Sequence, residues 1–310
     1  MKIRIVGCGN AFSMLNFNQS FVLEEGSKKM LIDCGSRIPL ALINAGINLS
    51  DIDSIYISHA HSDHIGGLEE VAFTRYDWAR HPRAWDDYNA VLGGNSWRDY
   101  LDPNVKYLPY APKLIANEKL MSELWDCSLR GGLDSMEGFD STLETFFQPV
   151  PVKANVPFFW QDWQFDLIQQ IHIMTGSIIK YTFGLFMSNK GHKSVYFTTD
   201  SQHCSPRQIE IFYKKADLIF QDCECTGIDT KTREYKFGSG VHASYAQLAG
   251  WPSSNSVRLS PEIKGKMCLS HYQDFVSKFK DGFGVDCDWY KLAAEDGFRG
   301  FVAVGETYEV

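Results

Sequence analysis

The sequence predicts an α/β protein with two β-sheets, helices outside them, and its reactive side chains at one sheet edge. Three observations predict it. Short apolar strands recur, each ending in a polar residue and passing into a helical stretch. The densest group of metal-capable side chains, His59-Ala60-His61-Ser62-Asp63-His64, stands directly behind one such strand. No linker rich in Gly, Pro or Ser divides the 310 residues and no internal repeat is visible, so one domain over 1–310 with an insertion is expected.

Taken in order, Lys2 to Val6 alternates as a first strand. Gly7-Cys8-Gly9-Asn10-Ala11 is a turn that passes close to the site; no GxGxxG follows, so it is not read as a phosphate loop. Ser20 to Glu24 and Lys29 to Asp33 form a hairpin around Glu25-Gly26-Ser27. Ile38 to Ala45 reads as a helix capped by Gly46. In Ile52 to Ser58, alternating Ile55 and Ile57 mark the strand that delivers the histidines, and Leu68 to Phe73 starts a helix. Phe165 to Ile173, Ile178 to Met187, Ser194 to Asp200, Ala216 to Asp222 and Lys266 to Tyr272 read as later strands. Ser205 to Lys215 is helical, with Ser205 as N-cap and Pro206 in the first turn. Val241 to Leu248 opens another helix, and Gly300 to Gly305 reads as the last strand.

From about 74 to 164 the character changes. Aromatic residues crowd together, among them Trp78, Trp85, Trp97, Phe146, Phe147, Trp160 and Trp163, and prolines interrupt periodicity. Only short pieces such as Lys113 to Trp125 look helical. We read an inserted, aromatic-rich subdomain, placed as a substrate cap or as the arm of a homodimer, with its own core as the plainer account.

The spacing within the histidine cluster carries the chemistry. Imidazole and carboxylate suit Zn²⁺, and Fe or Mn in mixed sites. In extended chain, residues i and i+2 point the same way, so His59 and His61 reach one ion. If the chain then turns into a helix, Asp63 and His64 project elsewhere and reach a second. Three of nine histidines within one hexapeptide, beside an aspartate, fit a solvated loop poorly.

His59-Ala60-His61-Ser62-Asp63-His64, followed by Gly66-Gly67, resembles the HxHxDH motif of the metallo-β-lactamase superfamily. The resemblance spans residues 1–73 and 165–310. It implies an αββα sandwich and a dinuclear centre. His172, Asp200 and His271, each at a later strand end, match the later motifs in order. The resemblance assigns His59, His61 and His172 to one ion, Asp63, His64 and His271 to the other, and Asp200 to both. Asp33-Cys34-Gly35 resembles the segment whose aspartate supports the histidine loop by hydrogen bonds. Asp222 and Val241-His242-Ala243-Ser244 narrow the resemblance to the ribonuclease Z-like and phosphodiesterase branch. There they correspond to a supporting acid, although Asp222 stands where Glu is usual, and to a proton donor or phosphate contact, His242.

The net charge of −8 argues against structured nucleic acid as a partner. No counterpart of the basic, glycine-rich arm that docks transfer RNA is found. A small anionic substrate is compatible, because metal ions supply local positive charge. Met1 to Gly7 reads as a strand rather than a secretory signal, and no apolar run reaches 18 residues, so no membrane association is expected. Eight scattered cysteines read as reduced thiols of a cytoplasmic protein; Cys223 and Cys225 are the one close pair, without a second to complete a Cys₄ site. The expectation is a hydrolase using two divalent ions, zinc first with manganese or iron as alternatives, and Asp63, His242 and Asp222 as catalytic residues. A cyclic nucleotide or short oligonucleotide is its expected substrate, attacked by a hydroxide that the ions share. The alternatives are hydrolysis of a lactone, thioester or β-lactam, an iron-loaded redox site, and a binding protein with a silent centre.

Overall fold

A computed structural model describes residues 1–80, 111–136, 139–203, 205–254 and 258–310. The described chain forms two compact units, Met1–Val6 with Ser20–Val152, and Gly7–Gln19 with Lys153–Val310.

In the first unit, β1 (Lys2–Gly7), β2 (Ser20–Glu25), β3 (Lys28–Ile32), β4 (Ser54–Ile57), β5 (Lys113–Asn117) and β6 (Gln148–Val152) lie side by side in that order. The β2–β3 hairpin turns at Gly26, whose φ of 59° favours glycine. From β3 onward the pairings are parallel. Parallel strands need crossovers, here α1 (Ile38–Asn44) between β3 and β4, and α2 (Ser62–Ile65) and α3 (Leu68–Arg80) after β4. All four residues of β4 are buried, as expected of a strand inside a parallel sheet.

Lys113 to Trp125 is not one helix. Lys113–Asn117 pairs with β4, and α4 (Glu118–Leu124) starts only after Asn117, whose side chain accepts from the Lys119 amide. Leu114, Ile115 and Ala116 are buried between two strands, and a short apolar run does not reveal by itself which kind of element buries it. The 74–164 stretch is thus continuous with sheet strands; its residues 81–110, with Trp85 and Trp97, lie outside the described residues. Phe146 and Phe147 are core residues of the first unit, and Trp160 and Trp163 of the second.

The second unit is built on β7 (Phe158–Trp160), β8 (Trp163–Thr175), β9 (Ile178–Ser188), β10 (Val195–Phe197), β11 (Leu218–Asp222), β12 (Met267–Ser270) and β13 (Gly300–Phe301). They are ordered β13-β12-β11-β10-β9-β8-β7. β10 to β13 pair in parallel, so the C-terminal ends of β10, β11 and β12 share one edge. The C-terminal ends of parallel strands are where α/β sheets gather functional groups. The expected last strand is only Gly300–Phe301, and Thr307–Glu309 adds a further short one.

Candidate metal centre

In the first unit, Asp33 follows β3 and His59 follows β4, its parallel neighbour, so the two loops leave the same edge. Asp33 is buried and takes a left-handed backbone, φ 60°. Its Oδ1 accepts from Ser58 N at 2.8 Å. Its Oδ2 accepts from Ser58 Oγ and His64 Nδ1, each at 2.8 Å. The Ser58 hydroxyl, having given its proton to Asp33, accepts from His59 Nδ1 at 3.0 Å. Asp33 thereby sets two imidazole tautomers at once: both rings carry their proton on Nδ1 and their lone pair on Nε2. His59 Nε2 faces His61 Nδ1 at 3.0 Å, and His64 Nε2 lies 3.2 Å from Asp63 Oδ2. These are two close pairs, one of two ring nitrogens and one of a ring nitrogen with a carboxylate oxygen, and both donor types suit a divalent cation.

The switch from strand to helix divides the donors. His61 is the extended N-cap of α2, while Asp63 and His64 are helical and buried. Gly66 and Gly67 serve a packing need: a Cβ on Gly67 would lie 2.6 Å from Gly35 O and 2.8 Å from Pro39 Cδ. Cys34 N donates to His64 O and Gly67 N to Cys34 O, tying the two loops together.

In the second unit, His172 lies inside β8 rather than behind a strand. It is the extra residue of a bulge, since Ile171 pairs with Tyr181 and Ile173 with Lys180. A bulge re-aims a side chain without ending the strand. Its flanks are held by Gln202, whose amide donates to Ile171 O and whose Nε2 donates to His172 O. His172 Nδ1 donates to Val241 O at 2.9 Å, which leaves the lone pair on Nε2, 3.8 Å from Asp200 Oδ2.

Asp200 follows β10, Asp222 ends β11 and His271 follows β12. Thr199 and His271 both have positive φ, 54° and 61°. Such backbone is costly for a residue with a side chain and concentrates at functional sites. Asp200, Asp222, His242 and His271 each bring a donor atom within 4.8 Å of all the others. His271 Nε2 lies 3.2 Å from Asp200 Oδ1, and its Nδ1 lies 3.3 Å from Asp222 Oδ1. Asp222 Oδ2 accepts from His242 Nδ1 at 2.8 Å and from Ser201 N at 2.8 Å. Burial pushes the Asp222 carboxyl up, but the His242 charge and hydrogen bond, then His271, outweigh it and hold it below the carboxylate range. For His242, burial lowers the pKa, and the Asp222 charge and hydrogen bond, with Asp200 behind, turn the balance upward. Burial leaves His172 below its ordinary value.

The helix expected over Val241 to Leu248 begins only at Tyr245, capped by Ser244, so His242 stands on the loop before it. That placement frees its ring to reach Asp222.

The sequence profile of the family described as Anti-Pycsar protein Apyc1 matches residues 1–89 and 98–308. The chain belongs to this family. An Apyc1 of Bacillus phage vB_BveM-Goe7 is 30% identical over 289 residues, covering 90% of this chain and 91% of that protein. One from Paenibacillus sp. (strain J14) is 26% identical over 286 residues, covering 92% and 94%. Among solved structures, the metallo-β-lactamase fold protein YhfI from Bacillus subtilis superposes with a TM-score of 0.64 at 17% identity, covering 100% of this chain and 99% of that one. Yeast PDE1 superposes at 0.58 with 13% identity, covering 100% and 99%. The fold is therefore the metallo-β-lactamase fold.

The sequence motifs single out these metal-type side chains but not the groups that steady them. Ser58, Ser201, Gln202 and the Val241 carbonyl were not singled out from the sequence. Serine, glutamine and main-chain oxygen carry no composition signal, and their role exists only once the loops are folded. Among the described residues, no group of metal-type donors includes Cys223 or Cys225, both buried. No helix among them is long and apolar enough to cross a membrane.

Proposed function

We propose that the protein is a metal-dependent phosphodiesterase acting on a small phosphodiester such as a cyclic nucleotide. The observation that carries this reading is the Asp222–His242 pair standing among metal-type donors: Asp222 holds His242 by Nδ1 and favours its protonated form. A positioned imidazolium is suited to give a proton to a leaving alkoxide, a step typically worth about 10²–10⁴ in rate. Carbonyl substrates whose leaving group is a thiolate need no such donor.

The ligand assignment stays part of the proposal: His59, His61 and His172 for one ion, Asp63, His64 and His271 for a second, and Asp200 for both. Zinc is the first choice, because the donor atoms are imidazole nitrogens and carboxylate oxygens. Divalent ions held there would supply Lewis acidity and lower the pKa of water. The protein's own part is to fix tautomers through Asp33 and Val241, to orient the attacking water through Asp63, and to hold a proton on His242. Membership of a family named for acting against Pycsar supports a small signalling substrate rather than structured nucleic acid, as does the charge of −8. A cytoplasmic setting, with the buried thiols reduced, and a homodimer through the 74–164 stretch belong to the same proposal.

The test is a parallel assay of the purified protein, loaded with Zn²⁺ or Mn²⁺, on a cyclic mononucleotide, a generic phosphodiester, a phosphomonoester, a lactone, a thioester and a β-lactam. Turnover of the diesters is expected. Activity confined to the carbonyl substrates would overturn the reading.

A further inference from the structure

Glu224 is a buried carboxylate to which neither the motif nor the proposed mechanism gives a task. It sits two residues beyond Asp222 and faces the loop that carries His242. Its side chain accepts from the Ser239 amide with both oxygens, at 3.1 and 3.0 Å, and from the Ser239 hydroxyl at 2.9 Å. Its backbone holds the far end of the same loop: Glu224 N donates to Ala243 O and Glu224 O accepts from Tyr245 N, both at 2.8 Å. One residue thus grips the segment 239–245 at both ends.

What lies between the grips matters. Ser239 Oγ, bound to Glu224, also accepts from Val241 N at 3.3 Å. The Val241 carbonyl accepts from His172 Nδ1 at 2.9 Å. The next residue is His242, on Asp222, and the next, Ala243, donates to Ser201 O at 2.8 Å. A continuous hydrogen-bonded path therefore runs from the Glu224 carboxylate through Ser239 and Val241 to the imidazole of His172. Gly238 shows how closely the loop is drawn in, because a Cβ there would lie 2.5 Å from Tyr235 Oη and 3.0 Å from Glu224 Oε2. Hydrogen bonds to a charged acceptor are about twice as strong as neutral ones, so a carboxylate suits the task of holding an otherwise exposed loop.

We propose that Glu224 is a positioning residue: through Ser239 it places the Val241 carbonyl that fixes the tautomer and direction of His172 for metal binding. The proposal rests on His172 being a metal ligand, which belongs to the proposed function above. A group that orients a ligating histidine from behind commonly changes metal affinity by about 10–100-fold when removed.

The experiment uses the full chain and reads two things that need no substrate. Zn²⁺ affinity is measured by competition with a chromophoric chelator. The His172 tautomer is read from nitrogen-coupled NMR of ¹⁵N-histidine-labelled protein, assigned with a His172→Gln sample. Glu224→Ala should weaken one Zn²⁺ by about 10–100-fold and convert His172 from a single Nδ1–H tautomer to a mixture. Glu224→Gln, which keeps one acceptor oxygen, should recover much of both. Ser239→Ala, a change at an exposed position, should shift them in the same direction as Glu224→Ala, and the double variant should be no worse than Glu224→Ala. Should Glu224→Ala not fold, Ser239→Ala decides alone. Wild-type Zn²⁺ affinity and an unchanged His172 tautomer in Ser239→Ala, or in a folded Glu224→Ala, would overturn the proposal. Absence of diesterase turnover in the wild type would overturn the functional reading and leave this measurement intact.

Discussion

The carboxylate of Asp222 joins two imidazoles: Oδ2 accepts from His242 Nδ1 at 2.8 Å, while Oδ1 lies 3.3 Å from His271 Nδ1. The two rings have different proposed tasks, and the shared acid links them. His242→Ala should lower turnover by about 10²–10⁴ and leave Zn²⁺ affinity near wild type. Asp222→Asn should lower both, with Zn²⁺ affinity down about 10–100-fold, because it also releases His271. Equal Zn²⁺ affinity in Asp222→Asn and wild type would remove His271 from its reach.

Asp33 organises the other donor loop through Ser58 and His64. Asp33→Ala would leave the buried Ser58 amide and the His64 ring without their acceptor. Such a loss costs about 1–3 kcal/mol per unsatisfied group. We expect a lower thermal midpoint in the metal-free protein and Zn²⁺ affinity reduced by 10-fold or more, about the scale of other supporting groups. Calorimetry with and without a chelator checks both.

Gly67 tests the packing of the same loop. The Cβ of Gly67→Ala would press on Gly35 O and Pro39 Cδ, both in the segment after Asp33. Overpacking of this kind costs about 1–3 kcal/mol. Gly26→Ala is the contrasting variant: its Cβ meets nothing within 4 Å, so it keeps the loops apart from the effect and shows only the strain of φ 59°. Zn²⁺ affinity should fall in the first and hold in the second.

Asp274 gives a pH-dependent feature away from the donors. Partial burial raises its pKa, but the Ser13 hydroxyl and the amides of Met14, Leu15 and Asn16 outweigh that and hold it below the ordinary Asp range. Met14 N donates at 2.7 Å and Asn16 Nδ2 at 3.1 Å. A depressed carboxylate contributes stability above its unfolded pKa and loses it as pH falls through the lower folded value. The loop 13–16, with Met14 and Leu15 exposed, should therefore loosen in acid below about pH 4, the ordinary range for Asp. Hydrogen exchange at the Met14 and Leu15 amides should accelerate there relative to its intrinsic rate. Asp274→Asn should show the faster exchange already at neutral pH.

Much of the proposed donor set was legible in the sequence, because it depends on local geometry. The alternation around Ile55 and Ile57 marks β4, and the i, i+2 spacing sets His59 and His61 together, while the turn into a helix that sets Asp63 and His64 apart is seen only in the fold. Asp200, Asp222 and His271 stand at ends of strands that apolar runs reveal. Elements decided by long-range pairing were harder. Lys113–Asn117 becomes a strand because β4 and β6 flank it, 59 and 35 residues away at the paired positions Ile57 with Ala116 and Lys113 with Gln148. A helical reading of the same residues satisfies the local pattern equally well, since only the neighbouring strands supply the partners for its backbone.

The sequence by itself determined which side chains could bind metal, because imidazole and carboxylate in that order and spacing allow little else. Tertiary structure alone decided what holds each of them. Val241 reaches His172 across 69 residues, Asp33 reaches His64 across 31, and Glu224 reaches Ser239 across 15. A hydrogen bond of this kind depends on where two loops leave a folded sheet, and a serine, a carbonyl or an isolated acid looks the same in sequence whether or not it makes one. The bulge at His172 belongs to the same class: only the register of β8 against β9 shows that the residue is turned out of the ladder and toward Asp200.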